Sequence, residues 1–144
     1  MSDARSTALR LVLTKRRTKK EVQEALVKKG FSPEDAEEAA SYYLHAGYID
    51  HADYARRFVH DAAHIKGFGP YRIERELVLR GIEHAIISDA LAEVEFDVYS
   101  PMEHRFGRGV RTEKEKIKIY QYYVRKGFAP DAIREAMDAL YTDD

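Results

Sequence analysis

Apolar residues along the 144-residue chain recur at helical spacing and stop at three glycines, Gly30, Gly81 and Gly127. Eight positions before each glycine stand Val22, Ile73 and Ile119, and four before stand Leu26, Leu77 and Tyr123. Val27, Val78 and Val124 come three before, Phe31, Ile82 and Phe128 directly after, and Ala39, Ala90 and Ala136 nine after. The glycines are 51 and 46 residues apart, which marks an internal repeat. Its outer copies are the closest: VKKGFSPEDAEEA at 27–39 and VRKGFAPDAIREA at 124–136 agree at seven of thirteen positions.

The spacing before each glycine puts one apolar stripe on a 3.6-residue period, predicting an amphipathic helix. Glycine then stands where a helix end favours a left-handed residue, and Lys28, Lys29, Arg125 and Lys126 suit the negative end of the dipole. Ser32-Pro33-Glu34-Asp35 and Ala129-Pro130-Asp131 restart a helix, with proline first and acids in the first turn. A further helix precedes each of these pairs. Leu9, Val12 and Leu13 give its stripe in the first copy, and Tyr54, Phe58, Ala62 and Ile65 in the second, where Asp50 is an N-cap with Asp53 three residues on. Thr18 with Glu21 and Thr112 with Glu115 read as capping boxes. Gly67-Phe68-Gly69-Pro70 ends one helix and begins another. In the third copy Met102, Phe106 and Val110 form the buried face of a helix weakened by Gly107 and Gly109.

The pattern predicts an all-α chain of about nine helices and no strand. They fall into three tandem three-helix repeats, 1–49, 50–98 and 99–144, each too small to bury a good core alone and so stacked as a short curved solenoid.

Composition fits a soluble folded domain: 44% apolar, 34% charged and a net charge of −1. Cysteine is absent, so disulfides, thiolate metal ligands and cysteine nucleophiles are excluded. No apolar run approaches the roughly 18 residues of a membrane span, and the expected location is the cytoplasm. The near-neutral total hides a sorting of charge. Residues 1–30 carry nine bases and three acids, and 31–40 four acids and no base. Residues 81–101 carry five acids and no base, 102–127 eight bases and three acids, and 128–144 five acids and one base. Two readings stand: attraction between adjacent helices, or a bipolar surface that steers a charged partner.

Lys15, Arg16, Arg17, Lys19 and Lys20 form the densest positive cluster, suited to phosphate, to an acidic protein surface, or simply to solvent. His60 and His64 in HDAAH sit one residue away from the HExxH zinc pattern. Both lie more than 100° from the apolar stripe, so they face water, and no third ligand is spaced to join them. With Arg56 and Arg57 they make a candidate basic contact face, extended by Lys66, Arg72 and Arg75. In KEKIKIYQYYVRKGF, the repeat assigns Ile119, Tyr120, Tyr123 and Val124 to the core and leaves Lys114, Lys118, Tyr122 and Arg125 on an outward row. Bases mixed with an aromatic suit a nucleic-acid or protein contact. No catalytic constellation, P-loop, metal site or cofactor motif is found, and the chain is not read as an enzyme.

The runs LHAGYIDHADYARRFV, KGFGPYRIERELVLRGI and VRKGF resemble the RecX family of bacterial recombinase regulators over essentially the whole chain. The most specific pieces are Gly47-Tyr48-Ile49-Asp50, Tyr54-Ala55, Gly67 to Pro70, Ile73, Glu76-Leu77 and Arg80-Gly81-Ile82. The resemblance implies three tandem three-helix repeats and a non-enzymatic modulator of the RecA recombinase, lodged in the groove of its DNA filament and limiting growth, ATP hydrolysis and strand exchange. Members often carry an arginine ahead of the GFGP-like break. Here Ala63, His64 and Ile65 precede Lys66, so Lys66, His64 or Arg57 would supply that contact. The expected protein is a monomer that binds the RecA filament and, through its basic faces, DNA phosphates. Two alternatives remain: a direct single-strand nucleic-acid binder and a general helical-repeat scaffold.

Overall fold

The computed structural model describes residues 3–143. Among them are nine helices: α1 (Ala4–Thr14), α2 (Lys19–Lys28), α3 (Pro33–His45), α4 (His51–His64), α5 (Pro70–Leu79), α6 (His84–Ala92), α7 (Tyr99–Phe106), α8 (Glu113–Lys126) and α9 (Pro130–Leu140). The local signals in the sequence set their ends. Thr18 and Thr112 close reciprocal capping boxes with Glu21 and Glu115, which satisfies donors that a helix start leaves bare. Ser32 Oγ accepts from the Asp35 amide and Asp50 Oδ1 from the Asp53 amide. Pro33 and Pro130 open α3 and α9.

Two short strands were not expected. Gly109–Arg111 (β1) pairs in parallel with Tyr141–Asp143 (β2), Val110 facing Thr142 in register. Strands of three residues carry no readable period, and the glycines taken for helix-weakeners end α7 at Phe106 instead. Val110 thus lies in a strand and is exposed, not on a buried helix face.

The chain divides into two compact units. One takes the residues up to Arg57 with Leu77–Ala90, the other Phe58–Glu76 with everything from Leu91 on. In the first, α1, α2 and α3 close on Ala8, Val22, Leu26, Ala36, Ala39, Ala40, Tyr43 and Ile49. In the second, α7, α8 and α9 close on Met102, Ile119, Tyr123, Phe128, Ile133, Ala136 and Leu140. The positions eight and four before each glycine are therefore core, as the repeat requires. Those three before are not: Val27, Val78 and Val124 are 44%, 53% and 42% exposed. Leu13 and Ile65 also face solvent, and Ala55, Val59 and Ala62 hold the buried face of α4. Tyr120 is only partly buried. A helical period fixes the direction of a stripe but not its width, which depends on neighbours.

Burial pushes the Tyr123 hydroxyl up to about 12. In the unfolded chain it ionises near 10, so the folded state holds the proton more tightly. Stability present below pH 10 is lost as the pH rises toward 12, by about 2–3 kcal/mol. Urea titrations across that range should show the loss. Tyr123→Phe should reduce it, leaving the share of Tyr43, Tyr54 and Tyr141, whose hydroxyls burial also pushes up.

Candidate interaction surfaces and helix joints

Each unit contains a joint at which the end of one helix meets the start of another. In the first, α2 receives the end of α5. Thr18 Oγ1 donates to the Arg80 carbonyl at 2.7 Å, and Lys20 Nζ to the Leu79 carbonyl at 2.9 Å. A helix end has carbonyls without partners, and here two side chains at the start of α2 satisfy them. Contact is close: a Cβ on Gly81 would come within 2.8 Å of Lys20 Cβ. Beside it, the Lys19 amide donates to His51 Nε2 at 3.0 Å, which leaves the ring proton on Nδ1, 2.7 Å from Glu83 Oε1. His51 is buried. His51→Ala, which removes both bonds and strands the amide, should cost about 2–3 kcal/mol in chemical denaturation.

In the second unit α5 receives the end of α8. The Gly69 amide donates to the Lys126 carbonyl at 2.7 Å and the Tyr71 amide to the Gly127 carbonyl at 2.9 Å. A Cβ on Gly69 would stand 2.5 Å from the Gly127 carbonyl carbon, and one on Gly127 2.6 Å from the Arg72 nitrogen. Main chain touches main chain here, which only glycine permits.

The expected basic residues divide by what already holds them. Arg16, Arg56 and Arg57 converge on the one carboxylate of Asp53, each at 3.1 Å. Burial, the largest influence on Asp53, would raise its pKa; hydrogen bonds from Arg57 and Arg16 outweigh it and hold the carboxyl below its usual value. Arg17 donates to the Leu11 carbonyl. Lys19 pairs with Glu37 on α3 at 3.0 Å, as Arg5 does with Glu38 at 2.7 Å. In this unit, acids of the third helix are thus bonded to bases of the first two. Hydrogen bonds from Ser41 and then Lys19 hold the Glu37 carboxyl below its usual range.

Arg72 stacks 3.7 Å over the Phe68 ring and pairs with Glu76 at 3.2 Å. Lys66 and Lys126 stand 5.8 and 5.5 Å from the same ring. Tyr122 is not on the outward row. It is half-buried, edge-on to Phe106 at 5.6 Å, with the Arg105 guanidinium 4.6 Å over its ring. Arg105 and Lys126 are not among the expected contact residues, and Lys126 is expected only as a helix-end charge; adjacency to an aromatic is visible in sequence, stacking is not. His60 and His64 are exposed with rings 4.7 Å apart. Among the described residues no three His, Asp or Glu side chains group as a metal site.

Five of the expected cations, Lys15, Arg75, Lys114, Lys118 and Arg125, are exposed and have no side-chain partner among the described residues; nor do Arg10, Lys28 and Lys29. Lys114, Lys118 and Arg125 lie at i, i+4 and i+11 on α8, within about 40° of one direction. This row is the longest set of free cations on one helix among the described residues. Among those residues, too, no helix is long and apolar enough to cross a membrane.

Comparison with known proteins agrees with this architecture. The second three-helix domain of RecX matches residues 50–91 and the first matches 4–42. A regulatory protein RecX from Halorhodospira halophila is 31% identical over 97% of this chain and 89% of its own length. One from Pectobacterium atrosepticum is 33% identical over 88% of this chain and 76% of its own. The crystal structure of RecX from Lactobacillus salivarius shares the fold, with a TM-score of 0.75 at 23% identity, over 95% of this chain and 94% of that one. With both domains matched in order and relatives aligned along nearly its whole length, the chain belongs to the RecX family of regulatory proteins.

Proposed function

We propose that this chain regulates the RecA recombinase by binding its filament on DNA, and that it restrains filament growth, ATP hydrolysis and strand exchange without catalysing a reaction itself. Family membership along nearly the whole chain carries this reading. The three helix triplets act as one array of repeats, 1–49, 50–98 and 99–144, working in the cytoplasm. Bases already held by Asp53, Glu37 or main-chain carbonyls shape the fold. Contact with an anionic partner falls to the free ones, chiefly Lys114, Lys118 and Arg125, whose heads meet a charged surface without first breaking a bond.

The same row favours a second reading, in which the DNA of the filament is touched directly, because evenly spaced cations on one helix suit phosphates. One experiment covers both. The protein is titrated into RecA-coated single-stranded DNA while ATP turnover and co-sedimentation are followed, with RecA-free DNA in parallel. The expected result is co-sedimentation and falling ATP turnover with RecA present. Binding to bare DNA alone would replace the first reading by the second, and binding to neither would remove both.

A further inference from the structure

The two joints imply a third that is left open. In each occupied joint, the glycine-terminated end of a repeat's middle helix sits on the start of another middle helix: α5 on α2 at Gly81, α8 on α5 at Gly127. Gly81 and Gly127 face atoms that would collide with a Cβ, whereas a Cβ on Gly30, at the end of α2, would meet nothing within 4 Å. Lys28 and Lys29 are exposed there, and no side chain or amide among the described residues donates to their carbonyls. The repeat has made the acceptor end of a joint with no donor against it.

The matching donor end is also bare. α2 and α8 begin with the same capping box, Thr18 with Glu21 and Thr112 with Glu115. Thr18 sends its hydroxyl proton to the Arg80 carbonyl of the docked helix. Thr112, with no helix docked, sends its own to Glu115 Oε1 at 3.0 Å. Lys20, two residues past its cap, holds the Leu79 carbonyl; Lys114, two past its cap, is exposed and free. Between them Glu113 has a side chain 80% exposed, a charge opposite to that of Lys28 and Lys29.

We propose that copies of this chain associate head to tail, the end of α2 at Gly30 in one copy seating on the start of α8 at Thr112 in the next. Thr112 and Lys114 then donate to the Lys29 and Lys28 carbonyls, as Thr18 and Lys20 do to Arg80 and Leu79, and Glu113 faces the two lysine side chains. The partner is a second copy because the contact continues one the chain already makes with itself. The interface joins two different patches, so it is heterologous: each copy offers one end to a neighbour and keeps the other end free for the next. This departs from the expectation of a monomer and does not depend on the RecA reading.

Sedimentation velocity on the full chain, in a concentration series up to about 1 mM at low salt, tests it. Two variants are compared: Lys28→Glu with Lys29→Glu, and Glu113→Lys. All three positions are exposed, and circular dichroism verifies the fold. Wild type should sediment faster as concentration rises, and each variant alone should lose at least about tenfold in association constant. An equimolar mixture should recover it, since the two new carboxylates of one variant then meet the new ammonium group of the other. Wild type that sediments as a single copy throughout overturns the proposal, as does a mixture no better than its components.

Discussion

Gly127→Ala is expected to lower the unfolding free energy by about 3–5 kcal/mol, while Gly30→Ala costs about 1 kcal/mol. The two glycines share their conformation, with φ of 103° and 104°, so the left-handed strain of a new Cβ is the same for both. What differs is the surroundings. At Gly30 the methyl enters open space; at Gly127 it is driven onto the Arg72 main chain, and the Gly69 and Tyr71 hydrogen bonds must lengthen to admit it. A flexible side chain could turn aside, but backbone at the first turn of α5 cannot. Urea unfolding of both variants measures the difference. Equal losses would mean that the second joint contributes little to stability and that its glycine serves only the turn.

The second large effect concerns binding. Lys114→Glu, Lys118→Glu and Arg125→Glu together should weaken association with RecA-coated DNA by about 100-fold near 0.1 M salt, and a smaller loss is expected at higher salt. Each replaced side chain is exposed and unpaired, so the fold should survive; a glutamate at 114 even suits the first turn of α8. If the row touches DNA phosphates, the log–log salt slope should also fall by about two to three. Arg56→Ala with Arg57→Ala serves as the contrast, because those guanidiniums are held by Asp53 and are less available. A triple variant that binds like wild type would move the contact off α8.

The features that could be read in the sequence are those decided within one helical turn. Thr18 with Glu21, Asp50 with Asp53, and Pro33 and Pro130 each set a boundary through atoms three or four residues apart, and each stands where expected. The glycine anchors were legible too, with Leu26, Leu77 and Tyr123 buried four residues before them. What was lost depends on distant neighbours. Nothing near Asp53 announces that Arg16, 37 residues earlier, will join Arg56 and Arg57 on its carboxylate. His51 looks like a surface residue until the Lys19 amide and Glu83 close around it. Tyr122 was given to the surface by the same period that correctly buried Tyr123, because Phe106 and Arg105 arrive from another helix.

The second joint is made by carbonyl and amide groups, which every residue type except proline supplies in full. The first asks only for the Thr18 hydroxyl and the Lys20 ammonium against carbonyls. Most other side chains around the joints can therefore be exchanged without loss of these bonds, provided the glycines, Thr18 and Lys20 stay. A fold held in this way leaves wide room for sequence change, and the Lactobacillus salivarius protein shares the fold at 23% identity.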